Sequence, residues 1–185
     1  MPQALTVHLD TTNWRAALDQ LGKRAPVAIA RGLNRTGSSG RTAMARAVAV
    51  DMGIKVADAR EAITVSKASR ESLAVRITAR GRPLPLEKFK ARGAIPSRGR
   101  GAGVSYVMRG ERKRIPSGFR AQVGNGHTGV FLRKGRGRLP VRELFGPSIA
   151  HVFGNQTPVM EKRIGETLQQ NVAHEVAFEL SRLTR

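Results

Sequence analysis

Gly129-Val130-Phe131-Leu132-Arg133-Lys134-Gly135-Arg136-Gly137-Arg138-Leu139-Pro140-Val141-Arg142-Glu143-Leu144-Phe145-Gly146-Pro147 is the stretch on which the reading of this chain turns. Residues 130–132 are a short apolar run, the pattern of a buried strand. Glycines alternating with arginine and lysine follow. Leu139-Pro140-Val141 then resumes an extended path, and Glu143-Leu144-Phe145-Gly146-Pro147 is expected to start a compact helical or turn element. Arg133, Lys134, Arg136, Arg138 and Arg142 place five cations in ten residues with no acid among them. A core does not accept unpaired charge at that density. The segment is therefore a surface device on a rigid strand, suited to a negatively charged or carboxylate-rich partner.

Composition sets the frame around it. A chain of 185 residues predicts one domain with a real core, filled mainly by Val, Ala, Leu and Ile because only eight residues are aromatic. The formal net charge is +20, a balance that favours nucleic acid, anionic surfaces or acidic protein partners. The charge is concentrated: residues 91–142 carry 13 basic side chains and 1 acidic, whereas residues 143–185 carry 4 and 5. The absence of cysteine excludes disulfides, cysteine zinc sites and thiol catalysis. No apolar run reaches the roughly 18 residues of a membrane span. Residues 1–10 lack the pattern of a secretory leader, so synthesis and use in a cytosol, or incorporation into a particle there, are expected.

Read in order, Leu5, Val7 and Leu9 alternate as a short strand. Thr11 or Thr12 is a candidate N-cap, and Trp14, Leu18 and Leu21 share one helix face. Gly22 is expected to end that helix and Pro26 to open the next. Gly37-Ser38-Ser39-Gly40 disfavours helix, leaving either two helices with a kink or one long helix tolerating glycines. Gly53 suits a C′ position, and residues 56–63 read as a short helix. Leu73, Val75 and Ile77 alternate as a strand, and residues 86–89 read as a second short one. The glycine- and arginine-rich residues 92–103 are expected to form a mobile arm that orders on a partner. Residues 104–133 read as an antiparallel meander, with a charged turn at Glu111-Arg112-Lys113-Arg114 and a hairpin turn at Gly124-Asn125-Gly126. A short helix is expected to stop near Gly154, and a new one to start with Thr157 as N-cap and Pro158 in its first turn. Met160, Ile164, Leu168, Val172, Val176, Leu180 and Leu183 then form an amphipathic stripe, for packing on the sheet or for an oligomer contact. The expectation is an α+β fold, with a central antiparallel sheet flanked by N-terminal helices and a long C-terminal amphipathic helix. Within one domain over 1–185, the parts are a helical 1–64, a sheet 70–133, a basic tip with short helix 134–156 and a C-terminal helix 157–183.

Catalytic patterns are poor. His174-Glu175 begins like a zinc-protease helix, but Phe178 stands where the second histidine belongs. No Gly-Lys-Ser/Thr follows the glycines of 99–103, so no phosphate loop is read there. No cofactor, metal or enzymatic activity is expected. Residues 53–63 are similar to a helix-turn-helix reader, yet Val56, Ala57 and Asp58 offer little to a base edge. The candidate contact residues are Arg98, Arg100, Arg112, Lys113, Arg114, Arg133, Lys134, Arg136, Arg138 and Arg142. They suit either phosphates or carboxylates of a protein neighbour. Single-strand binding is less favoured, because aromatics are not interleaved with the charge.

Ala30-Arg31-Gly32-Leu33-Asn34-Arg35-Thr36, Arg41-Thr42, Lys67-Ala68-Ser69, Gly129-Val130-Phe131 and Arg138-Leu139-Pro140-Val141-Arg142-Glu143-Leu144-Phe145-Gly146-Pro147-Ser148 occur in an order and spacing that resemble the lambda-like bacteriophage minor tail protein Z family. The block from Arg138 to Ser148 is the specific part. The resemblance implies a tail-completion protein at the head-proximal end of a long tail, without which particles are poorly infectious. It also implies kinship with small α+β neck proteins that assemble as rings, and it brings no catalytic residues. The implied partners are the tail tube or terminator protein, neck or connector proteins, further copies of the chain and, without sequence preference, channel DNA; no membrane is implied. Leu139, Pro140, Glu143, Leu144, Phe145, Gly146 and Pro147 are its motif residues, and their role is equally open to a structural reading, fixing the passage from sheet to helix. The alternative function is a cytosolic, sequence-independent DNA-binding protein.

Overall fold

The computed structural model describes residues 2–6, 15–93, 103–124 and 126–184. In chain order the elements are β1 (Gln3–Thr6), α1 (Arg15–Leu21), α2 (Ala25–Met52), α3 (Val56–Ala62), β2 (Ile63–Ser66), β3 (Arg76–Ala79) and β4 (Pro83–Pro85). They continue as β5 (Val104–Met108), β6 (Glu111–Ile115), β7 (Phe119–Val123), β8 (His127–Arg133), β9 (Val141–Glu143), β10 (Phe145–Ser148) and α4 (Ile149–Ser181). The class is α+β, as expected. Its β part is divided among four small antiparallel sheets, β1-β3-β2, β4-β10, β5-β6 and β7-β8-β9.

Two long helices carry the molecule. α2 starts after a tight turn whose Gly22 has φ +48°, and it has Pro26 in its first turn, where a missing N–H is harmless. It ends at Gly53, which has φ +70° and donates to the carbonyls of Ala49 and Val50. Of the two readings of Gly37-Ser38-Ser39-Gly40, the continuous helix is the one formed. The glycines face inward. A Cβ on Gly37 would come within 2.9 Å of Val75, and one on Gly40 within 2.9 Å of Ile77. At Gly32 a Cβ would lie 2.9 Å from the Cα of Val172 on α4, so the two helix backbones approach closely there. An interior glycine costs about 0.5–1 kcal/mol of helix propensity; here that cost is offset by contacts no larger residue permits. The hydroxyls of Thr36, Ser39 and Thr42 donate to helix carbonyls three or four residues back.

The stripe on α4 packs mainly along α2. Met160, Ile164, Leu168, Val172 and Val176 are buried, Leu180 is half-buried and Leu183 is exposed. Two apolar clusters result. One joins α1, the first half of α2 and the second half of α4 through Leu21, Leu33, Leu168 and Val172. The other gathers the second half of α2, the first half of α4 and the sheets around Met44, Ile63, Phe89 and Phe153.

Several local expectations change. Helix α4 is continuous from Ile149: Ser148 is its N-cap, accepting from the His151 N–H at 3.2 Å, and Gly154 and Pro158 lie inside it. Thr157 therefore caps nothing, and its hydroxyl donates to the Phe153 carbonyl at 3.0 Å. Burial of Val152, Phe153 and Met160 on either side holds the helix through the proline. Residues 86–88 form a 3-10 turn rather than a strand, because Phe89 must swing into the core, where it is fully buried. Glu111 to Arg114 lie in β6 and the turn is at Arg109-Gly110, both with positive φ. The alternation around Val75 becomes a strand only from Arg76. Residues 104–133 form two separate hairpins, since β6 and β7 do not pair. Residues 143–147 are extended, not helical. Val7, Leu9, Thr11, Thr12, Trp14 and most of the arm at 92–103 lie outside the described residues.

Candidate partner-contact surface

The basic tip is the connection between β8 and β9. The strands pair in the register Phe131↔Glu143, Leu132↔Arg142 and Arg133↔Val141. The Lys134 N–H donates to the Pro140 carbonyl at 3.0 Å, closing the loop at its root. The Arg133 guanidinium donates to the Arg138 carbonyl at 2.7 Å and sits 5.1 Å from the centroid of the Phe119 ring. Arg133 is thus occupied with holding the loop. Lys134, Arg136, Arg138 and Arg142 are exposed, and their side chains make no ion pair among the described residues. The nearest acid in sequence, Glu143, takes a hydrogen bond with His127 at 2.8 Å across the strands. The loop therefore presents its charge outward from a fixed root.

The second group of cations lies on a different sheet. Arg112, Lys113 and Arg114 are exposed on β6, and Arg112 donates to the Ser105 hydroxyl at 3.0 Å. β6 pairs only with β5, so no ladder joins the two groups. Arg98 and Arg100 lie outside the described residues. The root of their segment is well held. Arg92 and Ser105 exchange backbone hydrogen bonds at 2.7 and 2.8 Å. Arg120 forms an ion pair with Glu87 and donates to the Gly93 carbonyl at 3.2 Å. Sequence reading missed Arg120 because its partner is 33 residues away and β7 shows no local acid.

The motif residues divide into two kinds. Leu144 donates its N–H to the Val130 carbonyl at 2.8 Å and accepts from the Leu86 N–H at 2.9 Å, fastening β8 to the turn before Phe89. Gly146 lies against the Phe89 ring so closely that a Cβ would come within 2.4 Å of it. Glu143 holds His127, and Pro147 is half-buried beside the α4 N-cap. These four organise the passage from sheet to helix. Leu139 and Phe145 do not: they are 74% and 53% exposed. Pro140 is exposed too, contributing its carbonyl to the loop root.

The earlier motif, Leu33-Asn34-Arg35-Thr36, is internal. Leu33 is core; Asn34 donates to the Ala68 carbonyl at 3.0 Å and accepts the Ala68 N–H at 2.8 Å. Thr36 is buried and accepts from Asn171 at 2.9 Å. Arg35 lies 3.8 Å from Glu175 on α4. Asp58 pairs with Lys88 at 2.7 Å and Ala59 is buried, which leaves Val56, Ala57, Arg60 and Glu61 exposed on α3. Among the described residues no group of three or more His, Asp or Glu has metal-holding geometry, and no helix is long and apolar enough to cross a membrane.

The fold is an α+β scaffold that carries exposed cations on two separate sheets. Its buried polar groups serve the fold, and its prominent features are displayed cations. The chain belongs to the family described as prophage minor tail protein Z (GPZ), which it matches over residues 14–185, and it is a phage minor tail protein, a component of the virion tail. Comparison with curated proteins and with solved structures gives no match.

Proposed function

We propose that the chain is a tail-completion subunit at the head-proximal end of a long phage tail, joining the tail tube or its terminator to the neck. It assembles there as a ring and acts without catalysis. The observation that carries this reading is the β8–β9 loop, fixed at its root and exposing three cations, Lys134, Arg136 and Arg138, that no acid among the described residues pairs. Such a loop suits carboxylates of neighbouring subunits or phosphates of DNA in the channel. Leu139, exposed within the loop, favours a protein neighbour, because phosphates offer nothing to an apolar side chain. Residues 92–103 and β6 supply further contacts around the ring.

Immuno-electron microscopy of purified virions tests the position. Label at the head end of the tail, together with a ring in native mass spectrometry, is the expected result. Virions free of the chain overturn the reading. A monomer whose retention on DNA falls steeply with salt would instead favour the cytosolic DNA-binding alternative, since each neutralised phosphate contributes about 0.9 to the logarithmic salt slope.

A further inference from the structure

Helices α2 and α4 leave an open groove of about 910 Å³ between them, bounded at one end by the Arg109-Gly110 turn. On α2, Ala43, Ala47 and Val50 line it at i, i+4 and i+7; on α4, Met160 and Ile164 stand opposite. This floor is apolar, and Val50 is left 76% exposed. A large apolar side chain so exposed, aligned with others along one helix face, is the half of a contact that lacks its other half. The rim is cationic, with Arg46, Arg109 and Arg163. The one acid in the lining, Asp51, lies 3.9 Å from Arg109 and accepts from Gln156 at 3.4 Å. Arg46 and Arg163 have no hydrogen-bonding or ion-pair partner for their side chains among the described residues.

We infer that this groove seats an amphipathic helical segment of a partner protein, with apolar residues on one face and carboxylates beside them. Two parallel rows of small and apolar side chains are the surface into which such a helix lays its i, i+3, i+4 and i+7 residues. The unpaired arginines then meet its acids. Nucleic acid fits less well: it would satisfy the arginines but leave the apolar floor uncovered. A small-molecule site would bring polar groups together at its base, whereas the buried part of this lining is Gly40, Met160 and Ile164. A second copy of this chain is the other occupant that the test separates. The inference does not depend on where in the tail the chain sits.

The test is fluorescence anisotropy on the full chain with two labelled helical peptides of equal length. Both carry leucines at i, i+3, i+4 and i+7; one is flanked by glutamates, the other by lysines. The glutamate peptide binds and the lysine peptide does not. Arg46→Glu with Arg163→Glu, and separately Val50→Asp, weaken binding by about tenfold or more, the scale of losing an interface anchor. All three positions are exposed, so circular dichroism should report an unchanged fold. Ser at Arg70, Arg80 and Arg82, exposed cations outside the groove lining, leaves binding within about twofold. That arm separates the groove from the general positive field. Equal binding of the glutamate peptide to wild type and both groove variants overturns the inference, as does no binding to wild type. A wild-type oligomer that Val50→Asp dissociates overturns it in favour of a second copy.

Discussion

The α2–α4 pair and the β8–β9 loop treat charge in opposite ways. Along the helices, arginines of α2 meet acids of α4: Arg31 donates to Glu179 at 2.6 Å, and Glu179 is only 4% exposed. Arg35 lies 3.8 Å from Glu175. In the loop, Lys134, Arg136 and Arg138 face solvent with no acid among the residues between them. The same contrast runs through the glycines. Gly32, Gly37 and Gly40 exclude side chains so that two elements can touch, whereas nothing lies within 4 Å of a Cβ placed on Gly135. Around Gly32 and Glu179 the two helices satisfy each other, whereas the cations of the loop meet no acid among the described residues.

Substitutions can break that contrast, beginning with the helices. Gly32→Val drives a branched side chain into the Val172 backbone and should cost about 3 kcal/mol or more in urea denaturation, at the upper end of overpacking effects. A loss below about 1 kcal/mol would mean that the helices separate easily. Asn34→Ala strands both backbone groups of Ala68 and should cost about 2 kcal/mol by the same measurement. Arg120→Ala removes the Glu87 pair and the bond to Gly93 from a half-buried site. Its cost should be about 1 kcal/mol, with faster amide exchange at the root of the 94–102 segment. Ser at Lys134, Arg136 and Arg138 together should change stability by less than about 0.5 kcal/mol. Any function it loses is then a contact function.

This ordering also explains what the sequence disclosed. The α4 stripe, the α2 ends at Pro26 and Gly53, and the hairpin at Gly124 to Gly126 were legible because their signals are local: periodicity, a fixed φ and a turn glycine. The continuity of α2 through Gly37-Ser38-Ser39-Gly40, and of α4 through Pro158, was not. The first is decided by contacts with Val75, Ile77 and Ile164, far away in sequence, and the second by burial of Phe153 and Met160 in a core that other elements complete. Residues 143–147 misled for a related reason. Leu144 and Gly146 serve Val130, Leu86 and Phe89, so their extended path is fixed by distant partners. The cations were found by composition alone, but composition did not separate Arg133, held by Phe119 and Arg138, from its outward-facing neighbours. The groove rim was missed because Arg46, Arg109 and Arg163 come from three distant parts of the chain.

The measurement that bears most directly on the loop is the yield of infectious particles from a prophage lacking this chain and supplied with it in trans. The comparison is between wild type and the variant with Ser at Lys134, Arg136 and Arg138; Arg133 is spared because it braces the loop. If the loop serves a tail partner, the variant unfolds at the wild-type denaturant concentration while infectious yield falls on the order of tenfold or more, as expected when several charged contacts are removed together. Full infectious yield from a variant made at wild-type levels would contradict the account.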